Sequence, residues 1–329
     1  MKVLTCTSKK LQGSMRIHFD NVNFSSRSGP NTFAGRLATV LTERGHEIVN
    51  YDEDHECVLV FIEPTRQWKK NTRVIQRLDG IWFKPSQFKT HNKLIKWTYE
   101  NCDEVVWQSN FDKNMIVHHW GEKPGIVIPN GIEADKVEVT NSRLKKIRSM
   151  HDKVFVCSAN WHRQKRLKEN IEAYDILRNE NENSCLIVMG SHPDHILNRH
   201  DIIYTDNIRH DLCLQVYSMS DAMLHLAWLD HCPNVVVEAL SQECPVICTD
   251  SGGTSEIVKN SGFVIKEPIQ YNFELTDYDE PYNLDLSSLS GLDVSKIVVD
   301  RELVDLQICA DYYEKILAGP NYENLYISP

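Results

Sequence analysis

No stretch of this 329-residue chain approaches the ~20 consecutive apolar residues that a membrane-spanning helix requires. The opening, Met1–Thr7 followed by Ser8-Lys9-Lys10, is too short an apolar run for a secretory signal. A cytoplasmic protein is therefore expected, one that would meet a lipid-linked partner only at the membrane surface. Net positive charge is missing as well. The formal charge is -10, which argues against a protein that grips nucleic acid through a generally basic surface. Ten cysteines are present but no Cys-x-x-Cys pair, and most sit in apolar runs such as Lys153–Cys157. Buried reduced thiols are expected, not a zinc site or a disulfide framework. No internal repeat marks a solenoid.

What is there is a regular alternation. Short β-rich runs (Arg16–Asp20, Ile48–Tyr51, Cys57–Ile62, Val74–Leu78, Glu104–Gln108, Ile126–Ile128) are interleaved with helical stretches at about 31–44, 89–101 and 110–119. In the first helix Phe33, Leu37, Val40 and Leu41 form an apolar stripe, Asn31 is a candidate N-cap and Gly45 ends the pattern. The rhythm restarts after Pro129. Strands at Val154–Ser158, Cys185–Met189, Ile202–Tyr204, Ala222–Leu226, Val246–Thr249 and Phe263–Ile265 alternate with helices at 167–178, 211–219, 234–242 and 255–259. Two successive rounds of this kind predict an α/β protein with two Rossmann-like domains. The expected division is residues 1–130, 131–300, and a C-terminal helix from 301 that packs back toward the N-terminal domain. Pro129-Asn130-Gly131 is the expected hinge. Residues 266–300 are acidic and weakly periodic, and read as an irregular loop. The first fourteen residues fit either an edge strand or an extension before the first strand.

The chemistry concentrates between Asp230 and Glu256. Asp230-His-Cys-Pro-Asn-Val-Val-Val-Glu238 sets two carboxylates eight positions apart, and Pro233 suits the start of a helix. Asp230 would then lie on the preceding loop and Glu238 on the second turn. The N–H groups of Cys232, Pro233's neighbour Asn234, and Val235 would face an anion at the helix mouth. The pattern suits a nucleoside diphosphate with sugar hydroxyls on both sides; a surface-acidic helix packed by Val235, Val236 and Ala239 also fits it. Ser251-Gly252-Gly253-Thr254-Ser255-Glu256 adds a strand, a turn through which backbone can approach a ligand, and a second helix start capped by Thr254 or Ser255.

As a unit, 230–258 closely resembles the donor-binding core of family-4 retaining glycosyltransferases of the GT-B fold (glycosyl transferases group 1). Those carry a carboxylate, seven residues, Glu, a Pro-Val strand and a Gly-Gly-x-x-Glu turn. Further resemblances follow in order. Ser28-Gly29-Pro30-Asn31 resembles the family's N-terminal glycine loop, Ile128-Pro-Asn130-Gly-Ile132 its interdomain segment, and Ser158–Leu167 the segment that supplies basic groups to the diphosphate. The resemblance implies two domains facing each other across a cleft, donor on the C-terminal side and acceptor on the other. It implies donor binding by Gly29, Pro30, Asn31, Asn130, Lys165, Cys232, Pro233, Asn234, Val235 and Glu238. Arg163 and Lys165 would neutralise the leaving nucleotide, Asp230 would take sugar hydroxyls and Glu238 ribose hydroxyls. Arg77-Leu-Asp79-Gly80 stands where many members carry His-Asp, so Asp79 is either catalytic or half of a structural ion pair with Arg77. Arg163, Lys165 and Arg166 could equally form a solvated basic cluster.

The implied activity is transfer of a hexosyl or related unit from a nucleoside-diphosphate sugar to an acceptor hydroxyl with retention, without metal. The acceptor class stays open among glycan, lipid-linked and small-molecule hydroxyls. Asp52-Glu-Asp54 and Asp277-Tyr-Asp279 imitate the Asp-x-Asp metal signature of another glycosyltransferase class, but sit on a strand exit and in the acidic loop. Departures from the family pattern are Asp230 where Glu is usual, and Asn160 where an Arg often stands. A dehydrogenase is disfavoured because Ser28-Gly-Pro-Asn-Thr-Phe33 is not Gly-x-Gly-x-x-Gly. A nucleotide-sugar epimerase of the same fold and a non-catalytic nucleotide-sugar-binding protein are the alternatives.

Overall fold

The computed structural model describes residues 13–26, 28–133, 135–178 and 183–319. Residues 1–12, about which the sequence left two readings, lie outside them. The N-terminal half contains β1 (Arg16–Asp20), α1 (Gly29–Glu43), β2 (Glu47–Val49), β3 (Cys57–Phe61), β4 (Arg73–Leu78), α2 (Phe88–His91), α3 (Lys93–Asn101), β5 (Glu104–Trp107), α4 (Asn110–Trp120) and β6 (Gly125–Val127). Its strands form one parallel six-stranded sheet in the order β2-β1-β3-β4-β5-β6. The next part begins with α5 (Ser142–Met150), β7 (Lys153–Ser158), α6 (Leu167–Leu177), β8 (Ser184–Met189) and β9 (Ile202–Thr205). It continues through α7 (His210–Met219), β10 (Ala222–His225), α8 (Asn234–Ser241), β11 (Val246–Thr249), α9 (Thr254–Val258) and β12 (Gly262–Ile265). This second sheet is also parallel, ordered β12-β11-β10-β7-β8-β9, the doubly wound order with its switch between β7 and β10.

Strands buried on both faces explain the continuous apolar runs: all five residues of β3 and all six of β8 are buried. Each sheet carries one core per face, for instance Phe33, Leu37 and Leu41 of α1 on one side of the first sheet and Tyr99, Met115 and Trp107 on the other. The last helix, α10 (Leu306–Ala318), returns to this first sheet. Leu306, Ala310, Tyr313 and Leu317 join the α1 core, and Phe33 and Tyr313 stack at 5.8 Å. Burying those large side chains stabilises the return by about 1.5–3 kcal/mol apiece. Arg44 ties the helix down through Asp311 at 2.7 Å and Glu314 at 3.0 Å.

Several local expectations are corrected. The helix expected at 89–101 breaks at Asn92, whose side chain bonds both backbone groups of Trp82 instead of continuing the helix. The first helix starts at Gly29, with Ser28 at the N-cap and Pro30 in the first turn; Asn31 is inside it, accepting from the Asn23 N–H and donating to Ser28 Oγ. The second strand is shorter, Glu47–Val49. The last helical stretch is a 3-10 turn at Arg301–Val304 followed by α10, which Asp305 caps by accepting from Gln307 N–H. Helix α9 is preceded by Gly253, not capped by Thr254 or Ser255. Helix α5 has no counterpart in the sequence reading. Nine cysteines are described, none in a disulfide, and eight are buried. No described helix is long and apolar enough to cross a membrane.

Candidate active site

Strand β10 ends at His225 and the chain then turns through 226–233 before α8. Pro233 occupies the N-cap with no side-chain acceptor of its own, and Val236 and Val237 donate to Pro233 O. The first N–H groups, those of Asn234 and Val235, therefore point out of the helix mouth. The loop is braced from below by the glycine turn: Gly253 N–H donates to Asp230 O at 2.7 Å and Leu229 N–H to Ser251 Oγ at 3.1 Å.

Two side chains meet at this mouth. Lys165, on a 3-10 turn at Arg163–Lys165 after β7, donates to Asp230 Oδ2 at 2.5 Å. His225 Nε2 lies 3.4 Å from the same oxygen. Burial alone would push the Asp230 carboxyl up, but the Lys165 ammonium and His225 outweigh it and hold the group well below the usual carboxylate range. The stability this pairing contributes is therefore present at neutral pH and lost only in strong acid. His225 is shifted in the same direction, but here burial is the larger cause. Burial, aided by Lys165 and opposed by Asp230, pushes its ring below the ordinary imidazole range. The unfolded chain then binds a proton that the folded chain refuses, so stability must fall as pH drops below about 6.5. Urea melts between pH 7 and pH 5 should show that fall. In His225→Gln the slope should shrink by up to about 1.4 kcal/mol per pH unit; an unchanged slope would remove His225 from the account.

Glu238, on the second turn of α8, is buried and does not share a partner with Asp230. Its Oε1 accepts from Arg36 Nη2 of α1 at 2.9 Å and faces His210 Nε2 of α7 at 3.0 Å. Burial favours the protonated acid, yet His210 and Arg36 together hold it below its ordinary range. The Arg36 contact crosses from one sheet's helices to the other's. A second crossing runs from Gly29, whose carbonyl accepts from Asn234 Nδ2 at 3.2 Å, through Asn234 Oδ1 and Asn130 Nδ2 at 2.9 Å, to Asn130 Oδ1 and Arg77 Nη2 at 2.6 Å. Arg77 is fully buried and pairs with Asp79, which also accepts from Gln108 Nε2 at 2.6 Å. Burial and the neighbouring Asp112 raise Asp79 despite Arg77. Cys232 Sγ accepts from Asn130 N–H at 3.4 Å, and burial pushes its thiol up to about 12.

Of the residues singled out in the sequence, Gly29, Asn130, Lys165, Asp230, Cys232, Pro233 and Asn234 gather at the cleft. Pro30 and Asn31 lie in the first turn of α1 beside Gly29, and Val235 packs partly on the second sheet's core. Arg163 is exposed on its turn beside Lys165. Arg166 is not part of a solvated cluster: it is fully buried, forked onto Glu267 at 2.6 and 3.1 Å. Asp79 has the ion pair with Arg77 that one sequence reading proposed. His231 stacks edge-on with Phe83 across the cleft, and its Nδ1 lies 3.3 Å from buried Asp112. Glu256 reaches the other domain, accepting from the N–H groups of Asn110 and Phe111 at 2.7 Å and so capping α4. Asp277 and Asp279 both engage Lys84, while Asp52 and Asp54 are exposed after β2. Sequence reasoning missed Arg36, His210, His225 and Gln108. For His225 a signal existed, a titratable side chain at the carboxyl end of a parallel strand, where open α/β sheets bind ligands.

Residues 139–273 match the family described as glycosyl transferases group 1. No curated protein sequence matches the chain. Among solved structures, a glycosyltransferase from Rickettsia africae ESF-5 is similar with a TM-score of 0.62 at 16% identity, covering 96% of this chain and 100% of that one. Anabaena Alr3699/HepE in complex with UDP-glucose has a TM-score of 0.62 at 14% identity, over 92% of this chain and 99% of that one. Sucrose-phosphate synthase from Thermosynechococcus elongatus reaches 0.65 at 12% identity, over 95% and 99%. At such identities the likeness is one of fold, the two-sheet GT-B architecture.

Proposed function

We propose that this chain, a group 1 glycosyltransferase with the GT-B fold, moves a glycosyl unit from a nucleoside-diphosphate sugar to an acceptor hydroxyl and retains the anomeric configuration, as family-4 members do. The observation that carries this reading is the convergence of Lys165 and Asp230 on the open mouth of α8. Lys165, Arg163 and the outward N–H groups of α8 supply positive potential where a diphosphate leaving group gathers charge. Asp230 remains ionised and can accept sugar hydroxyls while Lys165 turns toward phosphate. Glu238 takes ribose hydroxyls, with Arg36 and His210 sharing its carboxylate. In retention no side chain need form a covalent intermediate, and none is assigned that role. The Anabaena protein was solved with UDP-glucose and with UDP, so uridine diphosphate sugars are the first donors to try.

In this reading the cationic residues do the work that a divalent cation does elsewhere. Release of nucleoside diphosphate from the preferred donor, with and without acceptor, is expected to run at the same rate in EDTA as in added Mg²⁺ or Mn²⁺. A rate that collapses in EDTA and returns with one cation would overturn metal independence. Proton NMR of the first-formed product reports the anomer, and an inverted linkage would overturn retention. Free epimerised nucleotide sugar in place of a glycoside would move the chain to epimerase chemistry.

A further inference from the structure

We propose that the outer face of the α2–α3 unit docks the protein on an anionic lipid bilayer. Helix α3 buries Ile95, Thr98 and Tyr99 against the first sheet, so a surface helix should show polar residues on its other side. It shows Leu94 and Trp97 instead, 49% and 41% exposed, beside Lys93 and Lys96. Trp82, 42% exposed, stacks on His91 at 5.1 Å at the near end of the same unit. At the far end Trp68 stacks on Trp97 at 5.1 Å, two residues from exposed Lys70. A groove of about 570 Å³ lies on this unit, walled by Phe88, Leu94, Trp97 and Trp120 and rimmed by Lys89, Lys93 and Lys96.

Charge and shape select the occupant. The chain carries a formal charge of -10, yet this face collects four lysines. Glu100, at the end of α3, pairs with Lys96 at 3.6 Å; Lys70, Lys89 and Lys93 make no ion pair among the described residues. Cationic ammonium groups interleaved with indoles and a leucine match a headgroup layer over acyl chains. Lysine stems reach outward to lipid phosphates, tryptophans sit at headgroup level and Leu94 enters the boundary. A nucleic acid is disfavoured by the formal charge of -10 on the whole chain and by Glu100 in the wall of this groove. The face also adjoins the cleft. In the connection from β4 to α2, Phe83 packs on Tyr271 and Tyr278, and Lys84 holds Asp277 and Asp279, all from the loop after β12. A bilayer on this face would thus lie next to the rim between the two sheets. The inference stands on the surface alone and does not require the donor-site reading.

The test is vesicle sedimentation of the full chain with phosphatidylcholine alone and with phosphatidylcholine plus phosphatidylglycerol. Wild type should sediment with the anionic vesicles only, and less so as salt rises. Lys93→Glu with Lys96→Glu should weaken binding roughly 30-fold or more, at about fivefold for each lysine lost. Leu94→Ser with Trp97→Ser should weaken it at every salt concentration. Lys259→Glu with Lys296→Glu, on the other domain and equal in charge change, should bind like wild type. Should the variants fail to fold, quenching of wild-type tryptophan fluorescence by brominated anionic lipid serves in their place. The proposal is overturned by a wild type that ignores anionic vesicles or shows no quenching. It is equally overturned by a control pair that loses as much as the α3 pair, or by single-stranded oligonucleotide binding more tightly than the vesicles.

Discussion

Lys165→Ala should slow sugar transfer at saturating donor by roughly 10²–10³-fold, the cost of losing one group that stabilises developing charge. Two consequences of the same deletion separate it from a simple loss of binding. The Lys165 ammonium is the main attraction holding Asp230 ionised against burial, so its removal leaves a largely buried carboxylate with only His225 beside it. A stability loss of about 1–3 kcal/mol should accompany the rate loss. Lys165→Ala combined with Asp230→Asn should recover much of that stability and none of the rate, because no uncompensated charge remains. Steady-state rates and urea melts on the three variants measure both effects. Full transfer activity in Lys165→Ala would remove the residue from the mechanism.

Gly252→Ala should be nearly as damaging, through backbone alone. Gly252 sits at φ +73°, and a Cβ there would lie 2.3 Å from the Asp230 carbonyl oxygen and 2.7 Å from its nitrogen. The left-handed backbone costs an alanine roughly 1–2 kcal/mol. The contact is with backbone, so relief requires the turn and the Asp230 loop to part, which also strains the Gly253 N–H bond to Asp230 O. A displacement near 1 Å at a site that must hold donor and acceptor in register costs on the order of 10²-fold in rate. Gly35→Ala is the control. That glycine lies inside α1 with open space where a Cβ would go, and alanine there should be neutral or stabilising by up to about 1 kcal/mol. Equal damage from the two substitutions would mean that the Gly252 turn does not position Asp230.

The parallel sheets were legible because their strands are buried on both faces and therefore written as unbroken apolar runs. Helix α5 was not. Ser142–Met150 offers only Leu144 and Ile147 as inward residues, both partly buried, and lies in a basic segment with weak periodicity. Its one clear mark is Asn141, which accepts from the N–H groups of Arg143 and Leu144. The break at Asn92 was also hidden, since a side chain that bonds Trp82 backbone ten residues back leaves no periodic trace. Within the site, Asp230 and the α8 mouth could be read because proline, carboxylate and glycine turn fall within one short stretch. Arg36 could not. It stands on the polar side of an ordinary amphipathic helix, and its partner Glu238 is 202 residues away. Glu256 capping α4 is the same kind of contact. Both depend on how the two sheets face each other, which no local pattern encodes.

Donor binding is the claim on which the proposed glycosyl transfer depends, and calorimetric titration of nucleoside diphosphates and their sugars into wild type and Glu238→Ala tests it directly. Wild type is predicted to bind one nucleoside diphosphate and its sugar at a single site, and Glu238→Ala to bind at least roughly tenfold more weakly, as expected when a charged hydrogen-bond acceptor is removed. A wild type that binds none of them, or a Glu238→Ala protein that binds as tightly as wild type, would contradict the donor site described here.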